Sequence, residues 1–114
     1  MFLIDNINLT KDSDFLICAI YKKYLENRKK GISKLDCKRV GTPHKVQKEI
    51  ISKWSIADID ETCRELDRAG LLACSYGDNL ILRSYLTDHA IIYMENRFKK
   101  GLNEISDFIS KFIP

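Results

Sequence analysis

The sequence predicts a mainly α-helical chain with one small β-hairpin, an α+β fold in a single domain. Three observations predict it. Apolar residues recur three and four apart through most of the chain. Ser or Thr stands at the head of the helical stretches, where a side-chain oxygen can cap free N–H groups. One pair of β-rich segments, LLACSY and NLILRSY, flanks a Gly-Asp turn. A length of 114 residues suits one domain, and 45% hydrophobic residues supply one core.

The first helix is expected to start near KDSDF, with Asp12 or Ser13 as its cap, and to run through FLICAIYKKYLENRKK. Ile17, Cys18, Tyr21, Tyr24 and Leu25 fall at helical spacing. Basic residues in its last turn suit the negative helix end, and Gly31 stops it. ISKLDCKRVG is a connector, with a short strand expected at residues 32–35. TPHKVQKEIISKW restarts a helix. Thr42 caps it, and Pro43 takes the first position, where its missing N–H costs nothing. Val46, Ile50 and Trp54 share one face, while Lys45, Lys48, Glu49 and Ser52 point the other way.

Ser55 opens a third helix, with Asp58 at capping-box spacing. Ile56, Ile59, Cys63 and Leu66 form its apolar stripe. The opposite face carries Ala57, Glu61, Arg64, Glu65 and Arg68, with Glu61–Arg64 and Glu65–Arg68 spaced as ion pairs. Ala69-Gly70 ends it, and a hairpin turning at Gly77-Asp78 follows. Thr87 then caps one long helix to the C-terminal end, with Ile91, Met94, Phe98, Leu102, Ile105, Ile109 and Phe112 three or four apart. About 25 residues at ~1.5 Å each give ~38 Å, more than a small core covers. Either the Lys-Lys-Gly at 99–101 breaks this helix, or its far half packs on something else. A second copy of the chain is expected there, with Leu102, Ile105, Phe108, Ile109 and Phe112 (and Ile113 beyond them) as a homodimer interface. The alternative is that this end folds back on the first helix.

Charge is unevenly spread. Residues 20–53 hold eleven Lys/Arg against three acids, +8; residues 54–114 sum to −3 and residues 1–19 to −2. A basic segment of this kind suggests a surface for phosphates, although Lys-rich solvated faces are common. No apolar run approaches the ~20 residues of a membrane span, and MFLI followed by Asp5 does not resemble a signal peptide. Cys18, Cys37, Cys63 and Cys74 lack the close spacing of a zinc clip and are expected to be reduced thiols of a cytoplasmic protein. There is no Gly-rich phosphate loop, no Gly-x-Ser-x-Gly and no His-Glu-x-x-His. His44 and His89 stand in no nucleophile or metal pattern, so neither an enzyme nor a cofactor is expected.

Two motifs carry a family resemblance. IADIDETCRELDRAGLL resembles the winged-helix pattern in which a helix ending in Ala-Gly leads into the first wing strand. LTDHAIIYMENRF resembles the Leu-Thr opening of the last helix in regulators of the MarR and PadR type. Over residues 13–113 the chain is similar to the YjcQ-like group, small winged-helix proteins of prophages and mobile elements in Gram-positive bacteria. It departs at Ala90, where Gly often follows the Leu-Thr motif. The resemblance implies a winged helix-turn-helix, with residues 13–86 as core and wing and residues 87–114 as a dimerisation helix. It also implies a DNA-associated, regulatory role for a mobile element.

A winged-helix reader sets the start of its third helix in the major groove and touches phosphate with the wing. On this expectation Ala57, Glu61, Arg64 and Arg68 face double-stranded DNA. Phosphate contacts come from Lys38, Arg39, Lys45 and Lys48, aided by free N–H groups opening the second helix, and from Arg83 on the wing. The acids of the third helix argue against this, since each repels a polyanion. The competing expectation is a protein-interaction module that uses the acidic helix and does not bind DNA.

Overall fold

A computed structural model of the chain describes residues 7–112. It contains six helices and two strands in the order α1 (Lys11–Lys29), α2 (Lys34–Cys37), α3 (Pro43–Glu49), α4 (Ile56–Arg68), β1 (Leu72–Gly77), β2 (Leu80–Leu86), α5 (Asp88–Arg97) and α6 (Leu102–Ser110). Mainly helical with one antiparallel hairpin, this is the α+β class expected.

Most helix starts are where the Ser and Thr residues put them. The hydroxyls of Thr42, Ser55 and Thr87 accept from the backbone N–H of Lys45, Asp58 and Ala90. Each satisfies a donor that the first turn leaves open. The α1 cap is Thr10, which accepts from Ser13 N at 3.1 Å, rather than Asp12 or Ser13. Residues 32–35 do not form the expected strand. Ser33 instead accepts from Asp36 N and caps the short α2. Ser-Lys-Leu-Asp carries capping-box spacing, which outweighs the β-preference of an isolated Ile32.

The extended segment comes a few residues later. Val40 N and Gly41 N donate to Ser84 O, and Leu86 N donates to Lys38 O, so residues 38–41 lie along the outer edge of β2. Arg39 and Tyr85 form an antiparallel bridge there. Gly41 has φ +97°, a conformation that strains any residue with a side chain, and the Lys45 stem lies over it, 2.7 Å from where a Cβ would stand.

The β1–β2 turn is Asp78-Asn79, one residue later than expected. Both have positive φ, 51° and 63°, as a type I′ turn requires. Gly77 is used differently: it pairs with Leu80, and its missing Cβ makes room for Leu82, whose Cδ1 would lie 2.5 Å away. Leu82 is the extra residue of a bulge, since Tyr76 pairs with Ile81 and Ser75 with Arg83.

The buried residues form one cluster that draws on every helix and on both strands. Ile59, Cys63 and Leu66 of α4 are all within 1% of full burial, and Leu16, Ile17, Cys18, Ile20, Tyr21 and Tyr24 line the inner side of α1. The apolar stripe expected for α4 is therefore present, with Ile56 at its half-buried end. Burial pushes the Cys18 and Cys63 thiols up to about 12, so both are inert packing groups.

The long C-terminal helix is two helices. α5 stops at Arg97, and the chain turns through Gly101 at φ +74° before α6 begins. Glu104 reaches back to accept from Lys100 N at 3.0 Å, which ties the turn before Gly101 to the first turn of α6, whose N-cap has no side-chain hydrogen bond. α6 folds onto α1. Ile105 is fully buried and Ile109 is 7% exposed, while Leu102 and Phe108 pack on the same cluster. Of the five side chains expected to meet a second copy, Ile105 and Ile109 are thus buried within their own chain, Leu102 and Phe108 are half-buried there, and Phe112 stays 52% exposed. Ile113 lies outside the described residues. Bending at Gly101 removes the apolar surface that a straight ~38 Å helix would leave in water.

Arg97 secures this corner. It donates from both terminal nitrogens to the Asp14 carboxylate, joining α5 to α1. Its guanidinium also lies 5.0 Å from the Phe98 ring centre and 4.7 Å from that of Phe108. The paired carboxylate raises the Arg97 pKa further.

Candidate functional site

Most of the residues expected to meet a phosphate-rich partner lie on α3, α4 and the hairpin. Their positions divide them. Lys45 and Lys48 are exposed on α3, and Arg39 and Arg83 are exposed on the sheet edge and on β2. Arg39 Nε is 3.7 Å from Asp36, a surface pair that restrains it little. Ala57, Glu61 and Arg68 are exposed on α4. These seven stay available to a partner.

Lys38 and Arg64 do not. Lys38 Nζ sits against the Asp88 carboxylate at the head of α5, and its side chain is only 20% exposed. The ammonium holds the Asp88 carboxyl below the ordinary carboxylate range. Lys38 therefore joins the segment beside β2 to α5. Arg64 donates from Nε to Asp60 Oδ1 at 2.6 Å and from Nη2 to Asn79 O, in the hairpin turn, at 2.7 Å. Its guanidinium carbon also lies 5.0 Å from the Tyr76 ring centre. The expected Glu61–Arg64 pair is absent because Asp60, one turn back, takes the guanidinium instead.

The acids of α4 have unexpected work. Glu65 accepts from Ser13 Oγ at 2.7 Å and from Thr10 Oγ1 at 2.8 Å, tying α4 to the head of α1. Those two hydrogen bonds lower its pKa. No Glu65–Arg68 ion pair forms, because the Glu65 carboxylate faces α1. Asp67 accepts from the Tyr76 hydroxyl at 2.6 Å. The bond favours the neutral phenol, so the Tyr76 pKa is raised. Three of the five α4 carboxylates, Asp60, Glu65 and Asp67, are thus engaged within the chain, and Asp58 and Glu61 remain exposed.

The α4–hairpin unit is held by Arg64, Asp67, Tyr76 and Asn79, and sequence reasoning assigned none of these contacts. Partners nine and fifteen residues apart across a turn leave no local spacing signal. The hairpin also exposes apolar side chains: Leu80 is 60% exposed, Leu82 52% and Tyr76 45%. Among the described residues no group of three or more His, Cys, Asp or Glu is placed to hold a metal ion. Among the same residues no helix is long and apolar enough to cross a membrane.

Comparison of the chain with family models, with curated proteins and with solved structures finds no match.

Proposed function

We propose that this chain is a winged-helix DNA-binding protein, a small transcriptional regulator. The observation that carries the reading is the docking of the hairpin onto α4 through Arg64, Asp67 and Tyr76. A helix and an adjoining β-flap fixed as one body are what a winged-helix reader offers to a groove and its neighbouring phosphates. The order of elements supports it: α1, a short extended segment beside β2, α3, α4, then β1 and β2. Among the described residues only Asp60 of the α4 acids is matched by a cation, Arg64, so Asp58, Glu61, Glu65 and Asp67 keep their charge and any duplex must be held against it by cations elsewhere.

In this reading α4 reads bases with its exposed first turns, Ala57 and Glu61, and Arg68 lies further along the same exposed side. A carboxylate such as Glu61 can accept from cytosine N4. Phosphates are met by Arg39, Lys45, Lys48 and Arg83, whose contacts fix position rather than sequence. The family resemblance alone adds that the regulated element is a prophage or other bacterial mobile element. Charge reversal is the test. Lys45→Glu with Lys48→Glu should weaken duplex binding at every sequence and flatten its salt dependence by about two charges. Unchanged binding by that variant would remove α3 from the interface.

A second reading has its own observation. The apolar hairpin exposing Leu80 and Leu82, beside Asp78 and near the acidic start of α4, suits a protein surface better than a phosphate backbone. A protein-interaction module would lose its partner on Leu80→Ser with Leu82→Ser. A DNA reader would keep its duplex affinity through the same change.

A further inference from the structure

One groove lies apart from the α4–hairpin surface. It runs between α1, the connector at residues 50–54 and the end of α6, and its volume is about 470 Å³. That is within the range of small-molecule sites, roughly 300–1,000 Å³. Its floor is apolar and largely aromatic. Phe15 stands 5.9 Å, centre to centre, from both Trp54 and Phe112, with Ile50 and Ile109 beside them. Its rim is charged. Lys22 and Lys23 rise from α1 and Lys53 from the connector, and none of the three forms an ion pair among the described residues. Glu26 and Glu49 also reach the rim. The three lining cations outnumber the two anions, which leaves the groove a net charge of +1.

We propose that this groove binds a small amphipathic anion, a molecule with an apolar body and one carboxylate. The body would lie on Phe15, Trp54 and Phe112, removing from water the half-exposed ring of Phe112. The carboxylate would be met by Lys22, Lys23 and Lys53, in competition with Glu26 and Glu49, neither of which is in an ion pair with them. The inference is independent of whether α4 reads DNA.

Trp54 is the chain's single tryptophan and lies in the groove, so its emission reports occupancy directly. Dodecanoate, titrated below its micelle concentration into the full chain, should change that emission saturably. Dodecyltrimethylammonium, with the same tail and the opposite charge, should bind roughly five- to tenfold more weakly. Lys22→Gln with Lys23→Gln and Lys53→Gln, at two half-buried positions and one exposed position, should abolish the difference between the two probes. Ala19→Leu, which narrows the floor without altering charge, should weaken both. Equal affinity for the two probes, or no saturable change with dodecanoate, overturns the proposal. So does an emission change that follows protein concentration instead of probe, since a second copy of the chain would then occupy the groove.

Discussion

The Tyr76 hydroxyl donates to Asp67 Oδ2 at 2.6 Å, so a strand residue holds the last turn of the helix that precedes it. The hairpin turn is held at its other end by Arg64, which donates to Asn79 O. Together these contacts set the angle between α4 and the hairpin. A two-stranded ribbon alone is marginally stable in water, and the side chains of α4 supply what it lacks.

Tyr76 should be among the last tyrosines to ionise. Its folded pKa is raised above the ordinary 10.0, chiefly by the bond to Asp67. A raised folded value means that the contact stabilises fully below pH 10 and is lost as pH rises through the folded pKa. Phenolate absorbance should show a late-titrating group that Tyr76→Phe removes. The same variant should speed amide exchange in β1. Amplitude lost instead near the ordinary pH 10 would show that the hydroxyl is not held by Asp67.

Glu65 should matter most at neutral pH and least in acid. Its carboxylate accepts from the buried Ser13 hydroxyl and from Thr10, which lowers its pKa below the ordinary 4.5. A lowered folded value gives stability that is present above 4.5 and lost as pH falls through the depressed value. Glu65→Ala leaves Ser13, 1% exposed, without its acceptor and should cost about 1 kcal/mol in urea unfolding at pH 7. The difference from the parent should shrink toward pH 3. A difference that grows in acid would contradict the assignment.

Asp14→Asn should be more costly than an ordinary surface change. Arg97 and Asp14 join α5 to α1 with side chains 26% and 29% exposed, and the guanidinium also covers Phe98 and Phe108. Removing the negative charge leaves a half-buried cation with no counterion, a loss of about 2 kcal/mol. Thermal unfolding is the readout. A loss near zero would place the pair among solvent-screened surface bridges.

The chain should sediment as a monomer at micromolar concentration. The side chains that argued for a dimer, Ile105 and Ile109 above all, are spent on α1. A concentration-dependent dimer that Phe112→Ser abolishes would show that α6 leaves α1 to meet a partner.

Local chemistry explains what the sequence foretold. Thr42, Ser55 and Thr87 cap the helices they precede, because a cap is decided within four residues. Ile59, Cys63 and Leu66 face inward because a period near 3.6 allows one apolar stripe. What was not legible depends on distant partners. Nothing near Glu65 announces Ser13, 52 residues away, and nothing near Arg97 announces Asp14, 83 residues away. Arg64 and Lys38 were assigned to a nucleic acid because an exposed cation and an internally paired one have the same local sequence. The bend at Gly101 was open in the sequence: helical spacing runs through it unbroken, and only the packing of α6 on α1 decides between a bent and a straight chain.

Binding to duplex DNA, measured as salt is raised, tests the proposed function most directly. With Arg39, Lys45, Lys48 and Arg83 as the phosphate contacts, the logarithm of affinity should fall against that of salt with a slope of about −3 to −4. Between about 50 and 200 mM salt that is a loss of roughly a hundredfold. An absence of binding at the lowest salt, or an affinity indifferent to salt, would contradict the assignment of this surface to DNA.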